Sequence, residues 1–263
     1  MKTLRKLSTI QKALSCFLMA GTSLVLCSGA DAQLVDDYEG PLTGYTGTVI
    51  LDVNGGASNT STFEIVGGEL GLTTTSFDAI EQHAFIRDGL ALFVGQEVQL
   101  DLTLPLGGGG TTNARNFGLY VGGTAPTTGV REDYISLYGQ TNNEQIFQRG
   151  FEGTTEYANL LTDATGGDTI FIARTGVNEF ETGYYVGGTR ITFGGEDNDG
   201  GTLIPSVPNT ADFVGIYADV RENGTVGFGD NLRIAPIPSA IPEPGSLAVL
   251  GMGAMLVGLR RRR

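Results

Sequence analysis

Two glutamates that lie close together are the residues best suited to catalysis. Glu179 and Glu181 occur in the stretch NEFETGYY, and on a β-strand they would project from the same face, roughly 7 Å apart. Two carboxyl groups near that separation can serve as the acid and the nucleophile or base of a glycoside hydrolase. The pattern E-x-D-x-x-E is absent, and so is tryptophan, the usual residue for stacking on sugars. We therefore expect a solvated strand face and no enzyme.

An acidic loop provides the second candidate chemistry. The stretch GGEDNDGG (194–201) offers several hard oxygen ligands on flexible backbone, which suits Ca²⁺. The spacing differs from the D-x-D-x-D-G of an EF-hand, so an exposed acidic loop without metal is the alternative. The weak calcium candidates are Asp197, Asn198 and Asp199, and no other cofactor is expected.

One histidine and two tyrosines complete the candidates. A histidine-dependent triad would have to be built around His83, the single histidine. No G-x-S-x-G, H-E-x-x-H or phosphate-loop pattern accompanies it, and we expect a surface or half-buried side chain. Tyr184 or Tyr185 beside the acidic loop would instead suit lectin-like, calcium-dependent binding of a sugar.

The charge of the chain argues against two classes of partner. Residues 33–240 carry 27 acidic side chains and 8 basic ones, all arginine. Nucleic acids and anionic lipid surfaces select basic faces, so neither is expected to bind this region. Solubility is the simplest role for the acidic surface, and weak binding of divalent cations is the alternative.

These residues must be positioned by β-strands. Glycine contributes 41 of 263 residues, about twice its usual share, and it separates short runs rich in β-branched and aromatic residues. In QEVQLDLTL (96–104) apolar and polar residues alternate, which predicts one buried and one wet face. Residues 78–90 could form a short helix capped by Asp78 or another strand. The absence of βα alternation predicts an all-β protein, an antiparallel β-sandwich. The predicted strands are 48–53, 61–66, 69–74, 96–104, 116–121, 133–138, 168–175, 178–186, 189–194, 211–220 and 225–234.

The last two predicted strands flank a strong turn signal. Asn223-Gly224 between two apolar runs predicts a two-residue hairpin with positive φ at both central positions. Both faces of the flanking strands are partly apolar, so the register stays open. A bulge at Gly227 or Gly229 would change it.

The ends of this region resemble a known family. GFGDNLRI (227–234) resembles the closing strand of concanavalin A-like and laminin G-like jelly rolls, and DDYEG (36–40) resembles their opening strand. The resemblance is diffuse over residues 34–234. It implies a two-sheet sandwich over residues 33–234 and no definite ligand. The proline-rich residues 235–240 are predicted to be a short stiff spacer.

The amino terminus has the pattern of an export signal. Four basic residues accompany an apolar run at 14–26, and Ala30 and Ala32 supply the small residues that signal peptidase accepts. We expect a signal helix, residues 1–32, that is cleaved after Ala32; an uncleaved anchor is the alternative. Both cysteines lie in this segment, so the exported chain would contain no disulfide.

The carboxyl terminus reads IPEPGSLAVLGMGAMLVGLRRRR (241–263). As a helix the apolar residues 245–259 would be about 22 Å long, which is short for a membrane span of about 20 residues. The basic cluster that follows would stay on the cytoplasmic side. We therefore predict a short transmembrane helix that tethers the exported domain to the inner membrane. The stop signal consists of Arg260, Arg261, Arg262 and Arg263.

This order of elements resembles the PEP-CTERM sorting signal of Gram-negative bacteria. The resemblance implies that an exosortase supplied in trans reads Pro242, Glu243 and Pro244 and removes the tail; a permanent anchor is the alternative. It further implies a structural or adhesive role at the cell envelope or in the extracellular matrix, with exopolysaccharide as the expected partner. A calcium-dependent lectin-like module and a glycoside hydrolase are the competing functions.

Overall fold

The computed structural model describes residues 32–52, 59–103, 116–140, 145–161, 169–193 and 210–238. The predicted signal peptide before Ala32, the acidic loop and the sorting signal lie outside these ranges. Within them every regular element is a strand, and no helix long and apolar enough to cross a membrane occurs. The first eight strands are β1 Gln33–Asp36, β2 Tyr45–Asp52, β3 Thr60–Val66, β4 Glu69–Ser76, β5 Glu81–Arg87, β6 Gln96–Thr103, β7 Asn116–Gly122 and β8 Tyr134–Gln140. The remaining strands are β9 Gln145–Glu152, β10 Thr155–Leu161, β11 Thr169–Arg174, β12 Phe180–Val186, β13 Thr189–Thr192, β14 Phe213–Val220 and β15 Gly224–Pro236.

The strands form two antiparallel sheets. The eight-stranded sheet has the order β13-β12-β11-β6-β15-β4-β3, with β1 added beside β15. The seven-stranded sheet has the order β10-β9-β8-β7-β14-β5-β2. The antiparallel β-sandwich predicted from the sequence is therefore confirmed. Pairing of β1 with β15 also joins the two segments that carried the jelly-roll resemblance.

The core lies between the sheets because one face of each strand is apolar. In β6, Val98 and Leu100 are fully buried, as the alternation predicted, while Gln99 and Asp101 face outward. The inward rows of both sheets pack together by the hydrophobic effect. They consist chiefly of Leu70, Leu72, Val98, Leu100, Ile170, Ile172, Leu232 and Ile234 from one sheet, and Phe117, Leu119, Val121, Ile135, Leu137, Val214, Ile216 and Val220 from the other.

The predicted hairpin at Asn223-Gly224 is wrong. β14 pairs with β5 and β7, whereas β15 pairs with β4 and β6, so the chain crosses between the sheets at this turn. β14 and β15 pack their apolar faces against the common core from opposite sides. The stabilisation from burying both faces outweighs the local preference of Asn223-Gly224 for a hairpin turn. The side chain of Asn223 accepts a hydrogen bond from the Phe77 amide at 2.7 Å instead. The register of β15 shifts between Val226 and Gly229, around the glycines where a bulge was expected.

Within residues 78–90 the strand β5 forms at Glu81–Arg87, and the short helix that was the other possibility is not present. β5 buries Phe85 on its inner face and Ala84 and Ile86 on its outer face, so the run shows no clear alternation. β9 and β10 were not predicted. β15 continues through Pro236, two residues into the predicted spacer.

The two ends of the sandwich are distinguished by the strands that begin and finish there. At one end, which we call the exit end, β5 and β7 finish, β6 and β14 begin, and β15 ends at Pro236 opposite Gln96. The amide of Leu92 donates to the Ala211 carbonyl at 2.8 Å and so links loops of the two sheets. The opposite, far end contains residues 77–80 and the crossover 221–223.

Candidate functional site

A cavity of about 360 Å³ opens at the exit end of the seven-stranded sheet. Strand alternation places Thr46, Ile86 and Phe213 on the outward face of β2, β5 and β14, and two loops complete the walls. A cavity of this size is in the range of small-molecule sites. Its lining consists of Thr46, Thr48, Ile86, Arg87, Asp88, Gly89, Ala125, Pro126, Asp212 and Phe213.

The acidic wall of the cavity is fixed by a tight turn after β5. Gly89 adopts a φ of 73°, which favours glycine, and the Asp88 amide donates to the Gly44 carbonyl at 2.8 Å. The Asp88 carboxylate accepts a hydrogen bond from the Thr46 hydroxyl at 3.0 Å. One carboxylate is thus oriented by the backbone and by a neighbouring strand.

The loop that carries Ala125 and Pro126 is held at both sides. The Gly129 amide donates to the Val49 carbonyl at 3.0 Å. The Thr210 hydroxyl donates to the Gly123 carbonyl at 3.0 Å. The cavity wall is therefore attached to β2 and to the segment before β14.

Arg87 donates hydrogen bonds to backbone carbonyls at the rim of the cavity. Its guanidinium donates to the carbonyls of Thr43 and Gly44, the latter at 3.2 Å, and lies 5.0 Å from the centre of the Tyr45 ring. A Cβ at Gly44 would lie 2.5 Å from the Arg87 Nη1 atom, so a larger residue there would require the guanidinium to shift. The Arg87 guanidinium is therefore occupied by backbone carbonyls. The polar side chains that remain in the cavity lining are carboxylates, which accept hydrogen bonds, and threonine hydroxyls, which donate and accept them.

The lining combines the two features that neutral sugars need. Phe213, Ile86 and Pro126 present apolar surface to the C–H face of a pyranose ring, and threonine hydroxyls and carboxylates can bond its hydroxyl groups. Asp212 is exposed and has no hydrogen-bond partner among the residues that the structure describes. Its carboxylate can accept hydrogen bonds at the mouth of the cavity.

A tyrosine layer lies beside the cavity on the outward face of the same sheet. It consists of Tyr120, Tyr134, Tyr138 and Tyr217, each at most 2% exposed. Tyr138 stacks on Tyr217 at 4.9 Å between ring centres, and Tyr120 stacks on Tyr134 at 5.0 Å. A Cβ at Gly122 would lie 2.8 Å from the Tyr120 ring, so glycine makes room for it. The tyrosine layer itself is closely packed, whereas the cavity beside it is open.

Burial sets the electrostatics of this layer. It raises the pKa of Tyr138 to about 12 and raises the pKa values of Tyr120, Tyr134 and Tyr217 above the usual value. The hydroxyls of Tyr134 and Tyr217 have no partner within the described part of the chain. These phenols stay neutral and cannot act as bases near neutral pH.

A buried carboxylate lies on the outward face of the eight-stranded sheet. Glu97 is 0% exposed. Its carboxylate accepts hydrogen bonds from Arg190 Nε at 2.9 Å, Gln99 Nε2 at 2.6 Å and the Tyr185 hydroxyl. Burial and the neighbouring Glu97 raise the pKa of Tyr185. A second cavity, of about 280 Å³, adjoins this cluster between Tyr185 and Arg233.

The predicted carboxylate pair does not share a strand. β12 begins at Phe180, so Glu179 belongs to the preceding turn, where its carbonyl accepts from the amides of Thr175 and Gly176 at 2.9 and 3.2 Å. Glu181 is on the outward face of β12 and pairs with Arg190 at 3.2 Å. Glu179 therefore lies one residue before the strand that carries Glu181.

The remaining predicted candidates separate in space. Tyr184 is half-buried and packs against Phe193, whereas Tyr185 faces outward beside Glu97. His83 is 7% exposed and lies 3.0 Å from the Glu81 carboxylate, so the histidine is more deeply buried than predicted.

The metal and processing predictions remain predictions. Asp197, Asn198 and Asp199 lie outside the described residues, as do the sorting motif and the terminal arginines. Within the described ranges no group of three or more histidine, cysteine or acidic residues is placed to hold a metal ion. β1 begins at Gln33, directly after the predicted cleavage position.

Sequence reasoning missed the cavity because its residues come from four separate segments. The pair Asp88-Gly89 was readable as a turn signal, and alternation could place Phe213 on a strand face. The meeting of these segments follows from strand order, which no local pattern contains. Glu97 was missed because a glutamate on a predicted wet face is normally exposed.

Comparison with known proteins identifies the carboxyl terminus. Residues 240–263 match the PEP-CTERM protein-sorting motif, which confirms the predicted sorting signal. The motif implies an exported protein that is anchored in the membrane before an exosortase cleaves it. No curated protein sequence matches the chain.

Similar solved structures cover most of the chain. The exoplasmic/lumenal domain of VIP36 in its Ca²⁺/Man3GlcNAc-bound form matches with a TM-score of 0.44 and 10% identity, over 81% of this chain and 92% of that one. The lectin UEA-II complexed with galactose matches with a TM-score of 0.46 and 8% identity, over 79% and 99%.

Proposed function

We propose that this chain is a non-enzymatic protein of the cell surface or extracellular matrix, where its sandwich binds a neutral polysaccharide. The observation that carries the proposal is the exit-end cavity, in which Phe213 and Ile86 adjoin Asp88, Asp212 and threonine hydroxyls. Export and exosortase processing would deliver this site to the matrix. Its role there is structural or adhesive.

The charges favour neutral over acidic glycans. Asp88 and Asp212 line the cavity, and Arg87 is engaged by the carbonyls of Thr43 and Gly44. A uronate carboxylate would meet two like charges and an acidic domain of 27 acidic and 8 basic side chains. Binding should therefore depend weakly on salt, in contrast to ion-pair recognition.

The decisive experiment measures binding of the processed chain to neutral and uronate-containing polysaccharides, including the exopolysaccharide of the producing host. Asp212→Asn removes a charged acceptor, and Thr48→Val removes a hydroxyl while keeping the side-chain shape. Loss of a hydrogen bond to the charged Asp212 should weaken binding about tenfold, and loss of one to the neutral Thr48 hydroxyl should weaken it by a smaller factor. Both variants should lose affinity for the neutral glycan.

A matched control uses Glu64→Gln, because Glu64 is exposed on the edge strand β3 of the other sheet. Its affinity should equal that of the wild type. Unchanged affinity in both cavity variants, together with retained binding by the wild type, would place the glycan elsewhere. Calcium-dependent binding through Asp197, Asn198 and Asp199 is the alternative, and it predicts loss of binding on chelation with EDTA.

Sorting is tested by intact mass of the protein from the envelope and from the medium of the native host. We expect a mass that begins at Gln33 and ends between Pro242 and Pro244, with or without an added group. A mass that still includes Arg263, found in membranes alone, would show a permanent anchor.

A further inference from the structure

Three large apolar side chains are exposed together at the exit end. Phe93, Val94 and Val177 are 65%, 52% and 71% exposed. Arg174 joins their loops, because its guanidinium donates to the Leu92 carbonyl at 3.0 Å and to the Val177 carbonyl at 2.9 Å. The arginine is held by backbone carbonyls. We call the exposed side chains of Phe93, Val94 and Val177 the exit-end patch.

The polypeptide leaves the sandwich beside this patch. Pro236, the last residue of β15, pairs with Gln96, and the Gln96 amide donates to the Phe93 carbonyl at 3.0 Å. Only residues 237–244 separate Pro236 from the apolar run 245–259. Eight residues span at most about 28 Å when fully extended.

The short segment 237–244 therefore keeps the exit end, rather than the far end, close to the anchoring point. β15 has 13 residues, and a strand of that length extends about 40 Å. The far end would lie a strand's length further from the anchoring point than the exit end. Exposed phenylalanine and valine are suited to the interfacial region of a bilayer, whereas an acidic domain would avoid close contact through its charged faces.

We propose that the exit-end patch rests in the lipid surface while the protein is anchored by its tail. This inference depends on the proposed membrane-anchored precursor. The partner is the bilayer itself, contacted through apolar side chains rather than by basic residues. Contact of Phe93, Val94 and Val177 with acyl chains would hold the precursor upright on its short spacer.

The chain contains no tryptophan, which allows a single-probe test. Chains that begin at Gln33, after removal of the signal peptide, and carry Phe93→Trp or Val177→Trp would be reconstituted into phosphatidylcholine vesicles with or without brominated acyl chains. Asp78→Trp is the matched control, because Asp78 is exposed at the far end. Quenching by brominated lipid requires contact with the acyl region, so both exit-end probes should be quenched and the far-end probe should not.

The outcomes separate this inference from the proposed function. If the chain floats with the vesicles but the exit-end probes are unquenched, the anchor stands and the patch contact is wrong. Equal quenching at both ends would also overturn it, because it would show no preferred orientation. If the chain that begins at Gln33 and retains its tail does not float with vesicles, the membrane-anchored precursor and this inference both fail.

Discussion

Glu97 is a negative charge enclosed by three donors on the outward face of β6. The bond from Arg190 Nε is 2.9 Å long, and the Arg190 guanidinium also lies 4.0 Å from the centre of the Phe171 ring. Removing one partner of a buried pair leaves the other without compensation. We expect Glu97→Gln to lower the free energy of unfolding by roughly 2–3 kcal/mol, measured by urea denaturation.

Glu181 provides the control for this prediction. It bonds the same Arg190, but its side chain is 46% exposed, and exposed ion pairs contribute about 0–1 kcal/mol. Glu181→Gln should therefore cost much less than Glu97→Gln. Equal effects of the two substitutions would show that burial of Glu97 does not decide its contribution.

Tyr217 differs from Glu97, because its hydroxyl is buried without a partner in the described part of the chain. A buried hydroxyl that lacks a hydrogen bond costs about 1–3 kcal/mol. Tyr217→Phe keeps the ring that stacks on Tyr138 and should raise the free energy of unfolding by about 1 kcal/mol. Tyr185→Phe, which loses the bond to Glu97, should lower it in the same assay; a loss of stability in both would contradict the prediction.

Among the elements, the tyrosine layer of the seven-stranded sheet gives the fold a pH dependence. An exposed tyrosine ionises near pH 10, whereas burial raises the pKa of Tyr138 to about 12. The folded state favours the neutral phenol, so this contribution to stability is complete below about pH 10 and is lost as the pH rises through about 12. Alkaline unfolding should coincide with phenolate absorbance of the buried tyrosines.

Tyr138→Phe should move the midpoint of alkaline unfolding to higher pH, because it removes one buried group that must ionise. Tyr184→Phe, on the other sheet, is the comparison. Phenolate absorbance that develops fully while circular dichroism still reports folded sheets would rule out the buried layer as the cause.

The same strands show how far sequence reasoning reaches. Alternation predicted the inward position of Val98 and Leu100, because one face of β6 is wet. It could not identify β5, whose Phe85 and Ile86 are buried on opposite faces. Asn223 was misread because a turn signal states that the chain reverses, and not whether the next strand joins the same sheet.

For the whole molecule, the exit end brings together three features that are distant in sequence. The cavity at Asp212, the exposed Phe93 and the chain exit at Pro236 all lie there. The link between the two sheets is the Leu92 to Ala211 hydrogen bond of 2.8 Å. If the spacer draws this end to a bilayer, the membrane covers the entrance of the cavity as well as the patch.

Removal of the tail should therefore increase polysaccharide binding. We expect the processed chain in solution to bind the neutral glycan more tightly than the chain that keeps its tail in vesicles, by about tenfold if the membrane leaves the site open in a tenth of molecules. Equilibrium binding of both forms to the same soluble glycan gives the comparison. If the cavity binds the glycan, Asp212→Asn should weaken binding by the same factor in both forms and leave the ratio of their affinities unchanged. Equal affinity of the tethered and released wild-type chains would mean that the cavity stays open above the membrane.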